Sequence, residues 1–130
     1  LQRVPLTARA ERPASMQIDL SHPGIHRVEP WGGAFAVERV EQGGIAVPAA
    51  SRLVLRARAP RDAFQAGARR PPRSLKLQFQ ARGVAPALRD GPIVCGGSDG
   101  VPVFVPGLGI DARALAAAGE AQVAIDWHPD

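Results

Sequence analysis

Glycine and proline interrupt this chain so often that it contains no long apolar segment. The 130 residues include 14 Gly and 13 Pro. Between them lie short alternating or apolar runs bounded by turn residues, a pattern typical of β-strands. These runs predict strands at residues 16–20, 25–28, 34–40, 45–47, 53–57, 62–64, 92–95, 101–105 and 121–127. None approaches the roughly 18 apolar residues of a membrane-spanning helix, and no repeat of about 20 to 50 residues recurs, which excludes membrane-helix and solenoid classes.

Residues 74–82, SLKLQFQAR, carry two conflicting signals. Apolar and polar residues alternate over 75–81, as they do in a strand. However, Ser74 is a good helix N-cap, Gly83 is a typical helix-ending residue, and the residues between them have high helix propensity. We favour the helix.

Two further segments complete the predicted secondary structure. Asp111 can cap an Ala-rich helix that runs to about Ala118, and Gly96–Gly100 predicts the turn of a hairpin. Short strands with two or three helices define an α+β class, and the chain length fits a single domain.

Positive charge is concentrated in the middle of the chain. Residues 1–51 carry five Arg and five acidic residues; residues 52–89 carry nine Arg, Lys76 and one acid; residues 90–130 carry one Arg and six acids. The three segments therefore have net charges of 0, +9 and −5, which sum to the overall +4. A basic block of this kind is typical of a site for a polyanion, and nucleic acid is the first candidate.

The same charge pattern is compatible with two readings that involve no binding site. An Arg-rich composition with a single Lys also arises from a GC-rich genome. The Arg side chains can also be spread over both faces of strands and helices, with some of them paired to the acidic last third. Sequence alone does not place them on one face.

No group of residues predicts catalysis, a bound cofactor or a metal site in this chain. Cys95 lies in an apolar run without a basic neighbour, and we interpret it as a packed small hydrophobic residue. His22 and His26 are separated by Pro and Gly, which disfavour the helix that would bring both onto one metal. The N-terminal residues lack the apolar core of a signal peptide, so we expect a cytoplasmic protein.

A more specific signal lies within residues 73–110. The residues that carry it are Arg73, Leu75, Lys76, Phe79, Gln80, Gly83, Val84, Pro86, Arg89, Asp90, Pro92, Ile93, Val94, Val105, Pro106 and Gly107. In this register the segment resembles the C-terminal domain of bacterial tRNA(Ile)-lysidine synthase, and a weaker likeness extends over residues 25–127. Two positions depart from the family pattern, because Ala85 replaces a Pro and Ala87 replaces a Trp. If that Trp serves as a stacking contact, the contact is absent here.

The resemblance implies part of an enzyme that uses ATP to join lysine to the wobble cytidine of the CAU-anticodon isoleucine tRNA. ATP and magnesium would bind a preceding catalytic domain, and this domain would hold the tRNA near its acceptor stem. Residues 1–14, which begin with Leu, are then expected to be a linker from that catalytic domain, and residues 15–130 the tRNA-recognition domain. The implied fold is a sandwich similar to part of the phenylalanyl-tRNA synthetase β subunit. Expected partners are the tRNA and the protein's own catalytic domain, and a homodimer stays open.

The resemblance and the charge pattern point to the same segment. The predicted tRNA-binding residues are Arg73, Lys76 and Arg89 at motif positions, with Arg69, Arg70, Arg82, Arg56, Arg58 and Arg61 around them. Gln80 is a further candidate for reading a base edge, or a solvated helix residue.

The sequence leaves three alternatives to tRNA docking, of which the third lacks the residues it would need. One is a protein-interaction module whose basic middle packs on the acidic last third or on the catalytic domain. Another is a general RNA-binding domain. The third, a small hydrolase or ligase, would need a clustered nucleophile and base that the sequence does not show.

Overall fold

The structure, a computed structural model, describes residues 14–130. The predicted linker over residues 1–14 therefore lies outside the described residues, except for its last member. The strands are β1 (Ser15–Ile18), β2 (Gly24–Val28), β3 (Gly33–Val40), β4 (Ile45–Ala46), β5 (Leu53–Arg56), β6 (Ala63–Phe64), β7 (Arg73–Ser74), β8 (Ile93–Gly96), β9 (Pro102–Val105), β10 (Gly109–Ile110) and β11 (Gln122–Pro129). The helices are α1 (Val47–Ala50), α2 (Leu75–Arg82) and α3 (Pro86–Arg89), and short 3-10 turns lie at Glu29–Trp31 and Ala112–Ala114.

The strands form two antiparallel sheets and one small hairpin. The first sheet has the order β1-β5-β8-β9-β10 and the second the order β2-β3-β11-β4. The hairpin pairs β6 with β7. Apolar side chains from both sheets share one core, as expected for a sandwich. The predicted α+β class is confirmed.

Aromatic residues fill this main core. The ring of Phe35 lies 4.9 Å from Trp127 and 6.2 Å from Phe104, measured between centroids. All four Phe and both Trp residues of the chain are buried. The aromatic side chains therefore stabilise the fold and do not form a surface for stacking bases.

A second, smaller core lies beneath α2. Leu75 and Phe79 are four residues apart on one face of the helix, and both are buried. They pack with residues from β6, β8 and β9, namely Phe64, Ile93, Cys95 and Val105, and with Leu108. Burial raises the pKa of the Cys95 thiol, which confirms its interpretation as a packed residue.

Both predicted end signals of α2 are present. The Ser74 hydroxyl accepts a hydrogen bond from the Leu77 N–H, at 3.3 Å between the heavy atoms. Gly83 has φ of 61°, the left-handed conformation that glycine adopts easily after a helix. The helix prediction for 74–82 is confirmed, and the apolar alternation did not indicate a strand.

The predicted helix from Asp111 to about Ala118 is wrong. Asp111 does cap a 3-10 turn at Ala112–Ala114, but Leu115 is extended and a separate turn follows at 118–119 before β11. The same Asp111 carboxylate accepts a hydrogen bond from the backbone of Gln65, and the N–H of Ala116 donates to Gly44 O. Because the Ala116 N–H is bonded to Gly44 O, it is not available for the bond to Ala112 O that an α-helix would need.

Two short helices were not predicted. α1 follows β4 directly, so the strand predicted at 45–47 ends at Ala46. α3 starts at Pro86, which has a helical φ and no N–H to satisfy. Single-turn helices of this length have almost no sequence pattern to detect.

Candidate nucleic-acid interface

The centre of the predicted site is the junction between the β6–β7 hairpin and α2. Phe64 pairs with Arg73 in the hairpin, and α2 follows β7 without a loop. The side chain of Gln78 on α2 donates through Nε2 to Phe64 O at 2.7 Å and to Arg73 O at 2.9 Å. These bonds hold the hairpin against the helix, and they fix the backbone of Arg73 from which its side chain extends.

The loop between β6 and β7 carries Arg69 and Arg70. Its backbone is ordered by Gln65, whose Nε2 donates to Gly67 O at 2.9 Å and to Ala68 O at 3.3 Å. The Arg70 N–H closes a turn onto Gly67 O. Both Arg side chains are exposed on this loop.

A groove runs between the hairpin and α2. It brings together three of the predicted residues, Arg70, Arg73 and Arg82. The other residues that line it are Phe64, Ala66, Pro71, Leu77, Gln78 and Ala81. One guanidinium nitrogen of Arg82 donates to Leu108 O at 3.2 Å, which places this side chain at the end of the helix.

The exposed face of α2 lies opposite Leu75 and Phe79. Lys76 and Gln80 are on this face, one turn apart, and both are exposed. Leu77 is 61% exposed although it is apolar. Sequence analysis did not select Leu77, but its position off the Leu75–Phe79 face of the helix is a signal that would have found it.

Of the remaining predicted residues, Arg58 contacts α2. The Arg58 guanidinium carbon lies 5.2 Å from the centre of the Phe79 ring, a cation–π contact. Arg61 is exposed, and Arg89 is half-buried on α3. Within residues 14–130, no ion pair involves Arg58, Arg61, Arg69, Arg70, Arg73, Lys76, Arg82 or Arg89.

Arg56 has a different environment from these eight residues. Its guanidinium donates to both carboxylate oxygens of Asp62, at 2.8 and 2.7 Å, and its side chain is 21% exposed. Burial by itself raises the pKa of the Asp62 carboxyl, but hydrogen bonds from Arg56 and from the Ala59 N–H outweigh it and leave that pKa below its usual value. Arg56 therefore neutralises a buried acid, and it is not part of the proposed tRNA-binding surface.

The acidic last third does not neutralise the basic segment. Asp111 is buried and pairs with Arg113, and Asp130 pairs with Arg27. Across residues 14–130, none of the ion pairs joins a basic residue of 52–89 to an acid of 90–130. The alternative in which the two blocks pair with each other is wrong for this part of the chain.

The two halves of the sequence motif meet in space. Gly107 has φ of +87°, and a Cβ atom built on it would lie only 2.5 Å from a methyl group of Val84. Glycine is therefore needed at 107 for two reasons, the backbone conformation and the approach of Val84. A family model described as the TilS substrate C-terminal domain matches residues 53–127, which include both halves.

The chain belongs to this TilS domain family. TilS is tRNA(Ile)-lysidine synthase, the enzyme whose C-terminal domain the motif resembles. A solved structure described as the crystal structure of the TILS C-terminal domain is similar in fold, with a TM-score of 0.61. It is 22% identical, and the match covers 88% of this chain and 97% of that one. No curated protein matches the sequence significantly.

This TilS C-terminal domain has small residues at the two positions where the family pattern has Pro and Trp. Ala85 precedes α3, and its carbonyl accepts hydrogen bonds from the Leu88 and Arg89 N–H groups. Ala87 is exposed on the same helix. A Trp at 87 would therefore start from the protein surface, near Arg89.

The glycine-rich turn of this TilS domain does not fit the phosphates of ATP. Gly96–Gly100 joins two antiparallel strands, and the Asp99 carboxylate accepts a hydrogen bond from the Val101 N–H at 3.0 Å. Phosphate-binding loops instead lead into a helix whose N-terminal N–H groups point at the anion. The prediction of a hairpin turn at this position is confirmed.

The described part of this TilS domain offers neither a metal cluster nor a membrane-spanning helix. Within residues 14–130, no three His, Cys, Asp or Glu side chains are grouped so that they could hold a metal ion. No helix in that range has the length and apolar character needed to cross a bilayer.

Proposed function

We propose that this domain docks tRNA for the lysidine synthase of which it is part. The observation that carries the proposal is the set of exposed or half-buried cations around α2 that have no acidic partner within residues 14–130. Arg and Lys side chains without an acidic partner suit the phosphates of a nucleic acid, and three of these arginines line one groove. In the full protein, the reaction would join lysine to the wobble cytidine of the isoleucine tRNA with the CAU anticodon.

The proposed contacts divide between the groove and its surroundings. Arg70, Arg73 and Arg82 would hold phosphates inside the groove, where the planar guanidinium fork can bind two oxygens at once. Lys76 would act as a point charge on the exposed face of α2. Arg58, Arg61, Arg69 and Arg89 would extend the contact along the RNA stem. Helical RNA is recognised mainly by shape, backbone and 2′-hydroxyl groups, which suits a surface of this composition.

The proposal assigns chemistry to another part of the protein. ATP and magnesium would bind the catalytic domain, and this domain would contribute binding energy and orientation. It would turn over no ATP by itself. Cys95 is buried, so it does not offer a thiol nucleophile at the surface.

The test compares two double variants that remove the same charge. Arg73→Ala with Lys76→Ala removes two cations from the proposed surface, and Arg39→Ala with Arg52→Ala removes two exposed cations elsewhere that have no ion pair within residues 14–130. Binding of the isoleucine tRNA is measured by fluorescence anisotropy over a range of salt. We expect the first variant to lose about tenfold or more in affinity and the salt slope to fall by about 2, because each phosphate contact contributes about 1 to that slope.

The control variant should lose much less affinity at every salt concentration. Equal losses in the two double variants would mean that net charge alone drives binding and would contradict the proposed surface. Salt-independent binding would contradict phosphate recognition altogether.

A second candidate function is contact with the enzyme's own catalytic domain. It is favoured by Ile25, which is 73% exposed on β2 at the edge of its sheet. A pulldown of the catalytic domain in high salt with RNase present separates the two functions, because RNA-mediated capture is lost under these conditions. We expect Ile25→Ser to reduce capture without changing tRNA binding.

A further inference from the structure

The side-chain amide of Gln78 is held in one orientation at the wall of the groove. Its Nε2 donates to two backbone oxygens, Phe64 O at 2.7 Å and Arg73 O at 2.9 Å. Both partners can only accept hydrogen bonds, so the amide nitrogen has to face them and the amide oxygen has to face away. The backbone of the hairpin thereby determines which way Gln78 points.

The Oε1 atom of Gln78 is left as an open acceptor. It has no hydrogen-bond partner within residues 14–130, and it is not among the atoms sealed from solvent there. The charged side chains that line the groove with it, Arg70, Arg73 and Arg82, are donors only. Gln78 thus supplies the single side-chain acceptor among the residues that line this groove.

This combination of donors with one acceptor restricts what can bind. A phosphate oxygen satisfies the arginines but cannot bond to Oε1, because both would be acceptors. The ribose of RNA carries a 2′-hydroxyl that can donate, close to the phosphates of the same strand, and DNA has no such group. The exposed Leu77 and the neighbouring Ala81 offer apolar surface to the carbon atoms of the sugar.

We propose that Gln78 Oε1 accepts a hydrogen bond from a ribose 2′-hydroxyl whose adjacent phosphate lies against the groove arginines. The groove then selects RNA over DNA through this one acceptor. The inference rests on the proposed tRNA docking and names the chemical group that the same site reads. Arg73 links the two proposals, because Gln78 binds its carbonyl oxygen and so fixes the backbone from which its side chain starts.

The experiment uses two hairpins with the acceptor-stem sequence of the isoleucine tRNA. One is RNA, and the other carries 2′-fluoro groups, which keep A-form geometry but cannot donate a hydrogen bond. The measured quantity is the ratio of their affinities for this chain. We expect the wild-type chain to bind the RNA about 3- to 10-fold more tightly, the range of a single hydrogen bond.

Two variants separate the acceptor from the structural role of Gln78. Gln78→Met removes both the donors and the acceptor, and Gln78→Lys keeps donors for the two carbonyl oxygens but has no acceptor. Both are expected to bring the affinity ratio close to one. If the variants only loosen the β6–β7 hairpin of the protein, both nucleic-acid ligands should bind more weakly by the same factor, and the affinity ratio should stay unchanged. Gln42→Met is the matched control, because Gln42 is exposed outside the proposed surface, and it should preserve the ratio.

Each outcome tests a defined part of the proposal. A wild-type ratio of one, or a ratio that survives both Gln78 variants, overturns the role of Gln78 while leaving tRNA docking intact. If Gln78→Met weakens both ligands by the same factor, the acceptor reads a base amino group or acts only through structure, and the 2′-hydroxyl assignment is wrong. If neither hairpin binds the wild-type chain while Arg73→Ala with Lys76→Ala also leaves tRNA binding unchanged, the proposed function itself fails.

Discussion

Arg56 and Arg73 belong to the same basic stretch of sequence, but their side chains have opposite environments. Arg56 forms two hydrogen bonds with the carboxylate of Asp62, which is only 5% exposed. Arg73 is exposed at the edge of the groove and has no acidic partner within residues 14–130. The first is paired inside the fold, and the second presents its charge to solvent.

The difference teaches that a positive charge in the sequence has two uses. The Asp62 carboxyl also accepts from the Ala59 N–H at 2.7 Å, so its partner Arg56 helps to hold the chain after β5. Arg73 leaves its whole donor set available to a ligand. Removing one should change stability, and removing the other should change binding.

The largest expected effect is that of Asp62→Ala on stability. The substitution leaves Arg56 without its partner, and we expect a loss of about 2 to 4 kcal/mol in the free energy of unfolding. The value lies below the full cost of an unpaired buried charge because the Arg56 side chain keeps 21% exposure. Urea denaturation measures it.

Arg73→Ala is the control for this prediction. It should change the free energy of unfolding by no more than about 0.5 kcal/mol, as is usual for an exposed residue. Similar losses in Asp62→Ala and Arg73→Ala would remove the distinction between the two arginines.

The second prediction uses salt to separate the same two environments. With about four phosphates neutralised, tRNA affinity should fall by about 100-fold between about 0.05 and 0.2 M salt. The urea midpoint should hardly change over this range, because buried ion pairs are screened much less than exposed charges. A parallel loss of affinity and stability would indicate that salt unfolds the domain and that the exposed charges are not the cause.

The third prediction is a loss of folding stability at acidic pH, which we expect to be smaller than the loss caused by Asp62→Ala. Burial raises the pKa of Asp62 and of Asp111, but hydrogen bonds from Arg56 and Arg113 and from backbone N–H groups outweigh it, and both pKa values lie below the usual 3.8. A carboxyl with a lowered pKa in the folded state stabilises it fully above pH 3.8 and loses that contribution as the pH falls through its folded value.

Urea denaturation between neutral pH and pH 3 should therefore show a loss of stability below about pH 4. In the double variant Asp62→Asn with Asp111→Asn, this acid-dependent loss should shrink. If the acid dependence is unchanged in the variant, other carboxyl groups cause it.

The smallest expected effect is a gain of affinity from Ala87→Trp. Ala87 is exposed on α3 beside Arg89, at the position where the family pattern has Trp. A Trp there can stack on a base or ribose, and we expect tRNA affinity to rise about fivefold.

Ala49→Trp is its matched control, since Ala49 is exposed on the short helix α1. That variant should bind tRNA like the wild-type chain. If both Trp variants raise affinity equally, the gain is a nonspecific apolar effect and position 87 has no special role.

Local sequence signals predicted those parts of the fold that depend on neighbouring residues. Ser74 and Gly83 indicated both ends of α2, and the turn at Gly96–Gly100 was predicted together with its flanking strands. The helix expected after Asp111 failed although Asp111 caps the turn at Arg113, because the N–H of Ala116 donates to Gly44 O, which is distant in sequence. A capping residue starts a helical turn, but the helix continues only when the next backbone N–H groups bond within the same segment.

The candidate site divides in the same way. The sequence by itself determined the family motif, the basic segment and the helix that carries Lys76. Only the tertiary structure decided that Arg56 is paired with Asp62 and that Arg70, Arg73 and Arg82 share one groove. It also decided that the side-chain nitrogen of Gln78 donates to the β6–β7 hairpin. The physical reason is that hydrogen bonds and ion pairs depend on distances of about 3 Å between side chains. Sequence order does not specify such distances until the sheets and helices pack together.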